Sequence, residues 1–108
     1  MEKGEIRIVK IPTTDGHEQY GTRPAVVLSD TDDDIAIVIP FTSNTQALKF
    51  PNTLKVEPNQ ENGLDQNSIA LIFQTRAIDE KSLQRKIGKL RQDKIQEIDS
   101  KLENILNL

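Results

Sequence analysis

Short hydrophobic runs separated by polar turns make up most of the chain before residue 91. Residues 5–11 and 35–41 both alternate between two faces, as half-buried strands do. Residues 25–28 are apolar throughout, which is typical of a strand covered on both faces. Strands are therefore predicted over 5–11, 23–29, 35–41, 53–56 and 68–74.

Two local signals refine this pattern. Pro40 cannot donate to a strand ladder, so we expect the pairing to loosen there and the third strand to end near an edge or a bulge. Asp79 is suited to cap a single helical turn, with Glu80 favourable in the first turn.

The C-terminal segment, residues 92–107, is the one stretch with a clear helical period. Its apolar stripe consists of Ile95, Ile98, Leu102, Ile105 and Leu106. The stripe is too short for a coiled coil, so we expect it to cover the sheet. Several short strands followed by one packing helix indicate a single domain over 1–108, a small β-barrel or sandwich with a helical lid.

Composition narrows the possible functions. The chain has 108 residues and no cysteine, which excludes a disulfide scaffold, a thiolate zinc site and a cysteine nucleophile. No apolar run reaches the length of a membrane span, so we expect a cytoplasmic protein without a membrane partner. The net charge is -3, with an acidic turn at 30–34 and basic residues concentrated between 81 and 94. A polyanion would have to be held locally, although both clusters are also consistent with solvated surface.

The loop before the second strand presents an arginine. Arg23 directly precedes Pro24, which favours an extended backbone at the mouth of the apolar strand. The polar run His17, Glu18 and Gln19 lies beside it. Binding and catalytic arginines are commonly mounted in this way, but an arginine that only caps a sheet edge would show the same pattern.

A second polar group follows the third strand. Thr42, Ser43 and Asn44 supply two hydroxyls and an amide where the sheet opens. These residues also suit an ordinary turn, so the pattern by itself leaves both interpretations open.

Together these segments resemble the MazF/PemK (Kid) family of bacterial ribonuclease toxins. The stretch GHEQYGTRPAVVLS at 16–29 is similar to the family's loop and second strand, and PFTS at 40–43 is similar to its P-x-T-S segment. Residues 74–79 match Q-x-R-x-I-D. The resemblance implies an SH3-like barrel of the MazF/CcdB type, with a last strand over 84–90 and the C-terminal helix packed on the barrel.

The resemblance also implies an activity: sequence-specific cleavage of single-stranded mRNA without metal or other cofactor, leaving 2′,3′-cyclic phosphate and 5′-OH ends. Arg23 and Thr42 are the implied catalytic residues. The expected RNA contacts are His17, Glu18, Gln19, Ser43, Gln74 and Arg76. Gln74 or Arg76 could instead hold loops through hydrogen bonds to the main chain.

The partners implied by the family are a second copy of the chain and a cognate antitoxin with an acidic C-terminal segment. The toxin–antitoxin complex is then expected to bind DNA.

Two departures from the family pattern keep other functions open. Arg7 replaces a common aromatic residue, and Leu71 and Phe73 replace the arginine and aspartate of the Kid branch. A CcdB-like gyrase poison, or a decayed toxin that only binds antitoxin, would use the same fold.

Overall fold

The computed structural model describes residues 2–11, 21–30 and 33–108 of the chain. The strands are β1 (Glu5–Ile11), β2 (Gly21–Asp30), β3 (Ile35–Thr42), β4 (Thr53–Val56), β5 (Ser68–Leu71), β6 (Arg76–Asp79) and β7 (Leu83–Lys89). The helix α1 spans Gln92–Leu106, and 3-10 turns cover Thr45–Lys49, Ile72–Gln74 and Glu80–Ser82. No helix in these ranges is long and apolar enough to cross a membrane.

The described strands form one antiparallel sheet in the order β4-β5-β3-β2-β1-β7, with β6 paired to β3. The sheet is not closed, but the predicted mainly β architecture with a C-terminal helix is confirmed. β3 is an interior strand that pairs with β6 through residues 35–38 and with β5 through Phe41 and Thr42.

β3 extends one residue beyond the predicted third strand, and Pro40 lies where β3 changes its pairing partner. Pro40 lies opposite Ala25 of β2 and falls between the segments that pair with β6 and β5. On the side of β3 that faces β6 and β5, no residue is aligned with Pro40, and the strand continues through Pro40 to Thr42.

Both faces of the central sheet are covered, as the apolar second strand predicted. Val26 belongs to a core that includes Ile6, Phe41 and Ile98 of α1. Ala25 and Val27 point the other way into a second core. Ile95 and Ile98 of the predicted helical stripe are buried, whereas Leu106 at its end is 59% exposed.

The last strand is anchored by a loop that passes very close to it. A Cβ on Gly63 would lie 2.0 Å from the carbonyl oxygen of Ile87, and one on Gly88 would lie 2.3 Å from the carbonyl carbon of Asn62. Two glycines therefore permit the contact, and the Lys89 N–H donates to the carbonyl of Glu61 at 2.9 Å. This loop leads into the residues that form one wall of the site described below.

The predicted strand over 68–74 is wrong in its second half, because β5 ends at Leu71. The Thr75 hydroxyl donates to the carbonyl oxygen of Ile72 at 2.6 Å and closes a 3-10 turn there. As a result Phe73 is 44% exposed instead of alternating into the core. The predicted cap is confirmed, since Asp79 accepts a 2.9 Å hydrogen bond from the Lys81 N–H.

Candidate functional site

Arg23 lies near the start of β2, where the following proline keeps the backbone extended. β2 is flanked by β1 and β3, and Arg23 pairs with Val9. The arginine is therefore mounted in the interior of the sheet, unlike a residue that caps a sheet edge. Its Nη1 donates to the carbonyl oxygen of Phe41 at 3.3 Å, which holds the partly buried guanidinium beside the end of β3.

Thr42 is the last residue of β3 and is 8% exposed. Its Oγ1 accepts a hydrogen bond from the Asn44 N–H at 3.2 Å, and the Asn44 side chain accepts one from the Gln46 N–H at 3.0 Å. Turn chemistry thus accounts for Asn44, which caps the 3-10 turn. The hydroxyl of Thr42 retains its own proton to donate, and Ser43 is exposed beside it.

A pocket of about 390 Å³ brings Arg23, Thr42 and Ser43 together. Its lining also includes Ile8 of β1, Arg85 of β7, Asp65 and Gln66 from the β4–β5 connection, and Ser68 at the start of β5. The charged side chains of this lining are the guanidinium groups of Arg23 and Arg85 and the carboxylate of Asp65. The pocket is locally cationic although the chain has a net charge of -3.

Arg85, Asp65 and Gln66 are pocket residues that sequence reasoning did not single out. Arg85 appeared there only as one member of the late basic cluster. It reaches the pocket because β7 pairs with β1, so that Arg85 falls beside the segment containing Ile8. The sequence alone does not indicate that Arg85 enters the pocket, because this depends on which strand pairs with β7.

Gln74 and Arg76, two further predicted contacts, do not line the pocket that contains Arg23. Gln74 lines a second pocket of about 440 Å³, which shares Thr42 with the first and also contains Phe50 and Phe73. Arg76 lines a third pocket of about 280 Å³ together with Gln74. The structure therefore connects Gln74 to Thr42, whereas it does not bring Arg76 into the lining shared by Arg23 and Thr42.

Three of the predicted RNA contacts, His17, Glu18 and Gln19, lie outside the described residues. Arg7, which replaces an aromatic residue common in the resembled family, does not line the pocket that contains Arg23. Its Nε donates to the Gln84 carbonyl at 3.0 Å, and its Nη1 lies 3.5 Å from Glu5 Oε1. Within the described ranges, no group of three or more His, Asp or Glu side chains is arranged to hold a metal ion.

Comparison with known proteins identifies the family of the chain. Residues 2–106 match the family described as PemK-like, MazF-like toxin of type II toxin-antitoxin system. The fold is similar to MazF (Form-I) from Deinococcus radiodurans, with a TM-score of 0.82, 24% identity, and coverage of 100% of this chain and 97% of that chain. It is also similar to the Mycobacterium tuberculosis toxin MazF-mt6, with a TM-score of 0.75, 22% identity, and coverage of 96% and 97%. A third similar structure is an endoribonuclease in complex with its cognate antitoxin from a mycobacterial species, with a TM-score of 0.70, 14% identity, and coverage of 98% and 92%. Because the family match extends over nearly the whole sequence, the chain belongs to the PemK-like, MazF-like toxins of type II toxin–antitoxin systems.

Proposed function

We propose that the protein is a toxin that acts in the cytoplasm as an endoribonuclease, cutting single-stranded mRNA at a specific sequence. The observation that carries this proposal is the shared pocket of Arg23, Thr42 and Ser43. The family membership supports it, as does the similarity to a solved endoribonuclease.

The proposed reaction is an internal transesterification. The 2′ oxygen attacks the adjacent phosphorus, the new O–P bond closes a 2′,3′-cyclic phosphate, and the bond to the 5′ oxygen breaks. One proton leaves the 2′-OH and one is delivered to the departing 5′ oxygen. The transition state carries additional negative charge on the phosphorane oxygens, which must be stabilised.

Arg23 is assigned the role of stabilising this negative charge. A guanidinium is permanently charged and presents a planar pair of donors to phosphate oxygens. Because it does not deprotonate, it is not the group that moves the protons. Thr42 can donate its hydroxyl to a phosphate oxygen while the Asn44 N–H fixes the position of its Oγ1. RNA-binding roles for His17, Glu18, Gln19, Ser43, Gln74 and Arg76 remain predictions.

We also propose that the protein works as a homodimer with RNA lying along the interface. Phe50 and Phe73 are 59% and 44% exposed and form an apolar patch, and Leu48, two residues before Phe50, is 44% exposed. The rings of Phe50 and Phe73 are 5.8 Å apart, and both border the pocket that Thr42 shares. Covering this patch with a second copy would bury the exposed rings and place two cationic pockets near one interface.

The antitoxin is proposed to bind at the same pocket as the RNA. A disordered acidic segment loses conformational entropy on binding and needs many contacts along an extended surface. The pocket of Arg23 supplies positive charge, and the partly exposed Ile8 and Pro24 in its lining supply apolar anchors. Competition between antitoxin and RNA follows from this arrangement.

One observation favours a second candidate function. In the Kid branch the arginine and aspartate of the penultimate strand take part in cleavage, but Leu71 is buried here and Phe73 is an exposed apolar residue. A toxin that only binds antitoxin and no longer cuts RNA would tolerate both residues.

Incubation of the purified protein with a long single-stranded RNA in EDTA separates the two candidates. The proposal predicts defined fragments from the wild type and none from Arg23→Ala. Arg91→Ala is the matched control, because Arg91 is exposed at the start of α1 and lines a different pocket. Intact RNA with well-folded wild-type protein would reject the nuclease and favour the second candidate.

A further inference from the structure

We infer that Arg85 is a second phosphate-binding residue of the pocket, holding the RNA backbone from the wall opposite Arg23. This inference rests on the proposed function, and it assigns to that site a substrate contact which the sequence pattern did not single out. Three observations about Arg85 carry it.

The first observation is the position of Arg85 across the sheet. β1 separates β2 from β7, and all three strands contribute to the pocket through Arg23, Ile8 and Arg85. Neighbouring strands lie about 4.8 Å apart, so the backbones that carry the two arginines are roughly 10 Å apart. Two guanidinium groups on opposite walls can therefore contact different phosphates of one strand.

The second observation is that the neighbouring cation faces elsewhere. Lys86 pairs with Arg7 and is absent from the pocket lining, whereas Arg85 belongs to it. The pKa of Glu2 is lowered mainly by Lys89 and to a smaller extent by Lys86, which places Lys86 within electrostatic reach of Glu2. Successive side chains of a strand point to opposite faces, so adjacent cations on β7 have different surroundings.

The third observation is the charge environment of Arg85. Several other basic side chains are neutralised by carboxylates, including Lys3 by Asp99 at 2.9 Å and Lys89 by Glu2 at 2.7 Å. Within the part of the chain that the structure describes, no carboxylate forms an ion pair with Arg85, although Asp65 lines the same pocket. Its full charge is available to an anion that enters the pocket.

The exposure of Arg85 favours phosphate over a base edge as its ligand. Specific reading of a base requires a side chain that is held in one orientation by neighbouring groups. Arg85 is exposed, and its guanidinium forms no hydrogen bond to the residues that the structure describes. A mobile charge at the rim of a pocket contacts phosphate oxygens without discriminating between bases.

The test measures binding of a short mixed-sequence RNA with 2′-O-methyl riboses, which keeps every phosphate but blocks attack by the 2′ oxygen. Wild type, Arg85→Ala and Lys86→Ala are compared by fluorescence anisotropy over a range of salt concentrations. Lys86→Ala removes the same charge from the adjacent residue. We expect Arg85→Ala to weaken binding about tenfold at low salt, as loss of a charge-assisted hydrogen bond predicts. Its plot of log K against log salt should become shallower by about 0.7, the value for one phosphate contact on a single strand. Lys86→Ala should change the slope much less.

Equal effects of the two substitutions would overturn the inference, because they would reflect net charge alone. The inference would also be rejected if Arg85→Ala left the salt slope unchanged and altered the preference among homopolymeric RNAs, since Arg85 would then read a base. In both cases the wild type still binds RNA, so the proposed function stands. A wild type that neither binds this RNA nor cleaves unmodified RNA would reject the proposed function and this inference together.

Discussion

Replacement of Asn62 by alanine should destabilise the loop that forms one wall of the candidate site. Asn62 is 1% exposed. Its Oδ1 accepts hydrogen bonds from the N–H groups of Asn59 at 3.2 Å and Leu64 at 3.0 Å, and its Nδ2 donates to the Glu57 carbonyl at 2.9 Å. The side chain thus ties together both ends of the loop that leads to Asp65.

The size of the effect follows from these three hydrogen bonds. Each contributes about 1 kcal/mol net, so the free energy of unfolding should fall by about 3 kcal/mol. The Leu64 N–H is buried and would lose its hydrogen-bond partner in the variant. The free energy of unfolding should therefore fall by at least this amount. For a domain of this size, 3 kcal/mol corresponds to a decrease in Tm of roughly 15 °C.

Urea denaturation followed by circular dichroism measures this loss, and Asn67→Ala is the matched control. Asn67 is exposed in the same connection and forms no hydrogen bond within the described ranges, so its substitution should cost less than about 0.5 kcal/mol. If Asn62→Ala and Asn67→Ala had equal midpoints, Asn62 would not be what organises the loop.

Three further predictions address assembly, regulation and pH. Phe73→Lys should convert a dimer into a monomer in sedimentation experiments, because it places a charge in the proposed interface; a wild type that is monomeric at micromolar concentration and fully active would contradict the dimer. On the Arg23→Ala variant, cognate antitoxin should displace labelled RNA, and a stable ternary complex would refute competition for one groove. Lys89 lowers the pKa of the Glu2 carboxyl below its usual value near 4.5. The pair therefore contributes stability above that value and loses the contribution as the pH falls through the lowered pKa. Glu2→Gln should slightly reduce Tm at neutral pH and not in strong acid; because both side chains are exposed, a large loss at neutral pH would contradict this account.

Most strands could be predicted because their burial follows the sequence period. The bounds of β1 and β4 are as predicted, and the apolar run of β2 is buried between two cores. β6 was not identified as a strand because Ile78 is its only buried residue, so no hydrophobic period marks it. The alternation through Phe73 was misleading because Thr75 closes a turn at that point through a hydroxyl contact.

Only part of the candidate site could be predicted, because local sequence patterns do not show which distant strands pair. Local sequence rules marked Arg23 and Thr42 only as candidates at the ends of predicted strands, and the family resemblance assigned them catalytic roles. Arg85 enters the pocket through strand pairing over a long sequence separation, with a register shift between Arg7 and Val9. No local pattern encodes that register, so the second cation of the pocket becomes visible only in the folded sheet.

The central claim is that Arg23 supports attack by the ribose 2′ oxygen on RNA. The most direct test identifies the ends produced from an oligoribonucleotide that contains the preferred cleavage site, in EDTA, using wild type, Arg23→Lys and Arg23→Ala. The account predicts a 2′,3′-cyclic phosphate and a 5′-OH from the wild type, little product from the lysine variant and none from the alanine variant. It also predicts that a single 2′-deoxy substitution on the 5′ side of the cleaved bond blocks the reaction. Cleavage of that deoxy substrate, or near-full activity of a folded Arg23→Ala protein, would contradict the account.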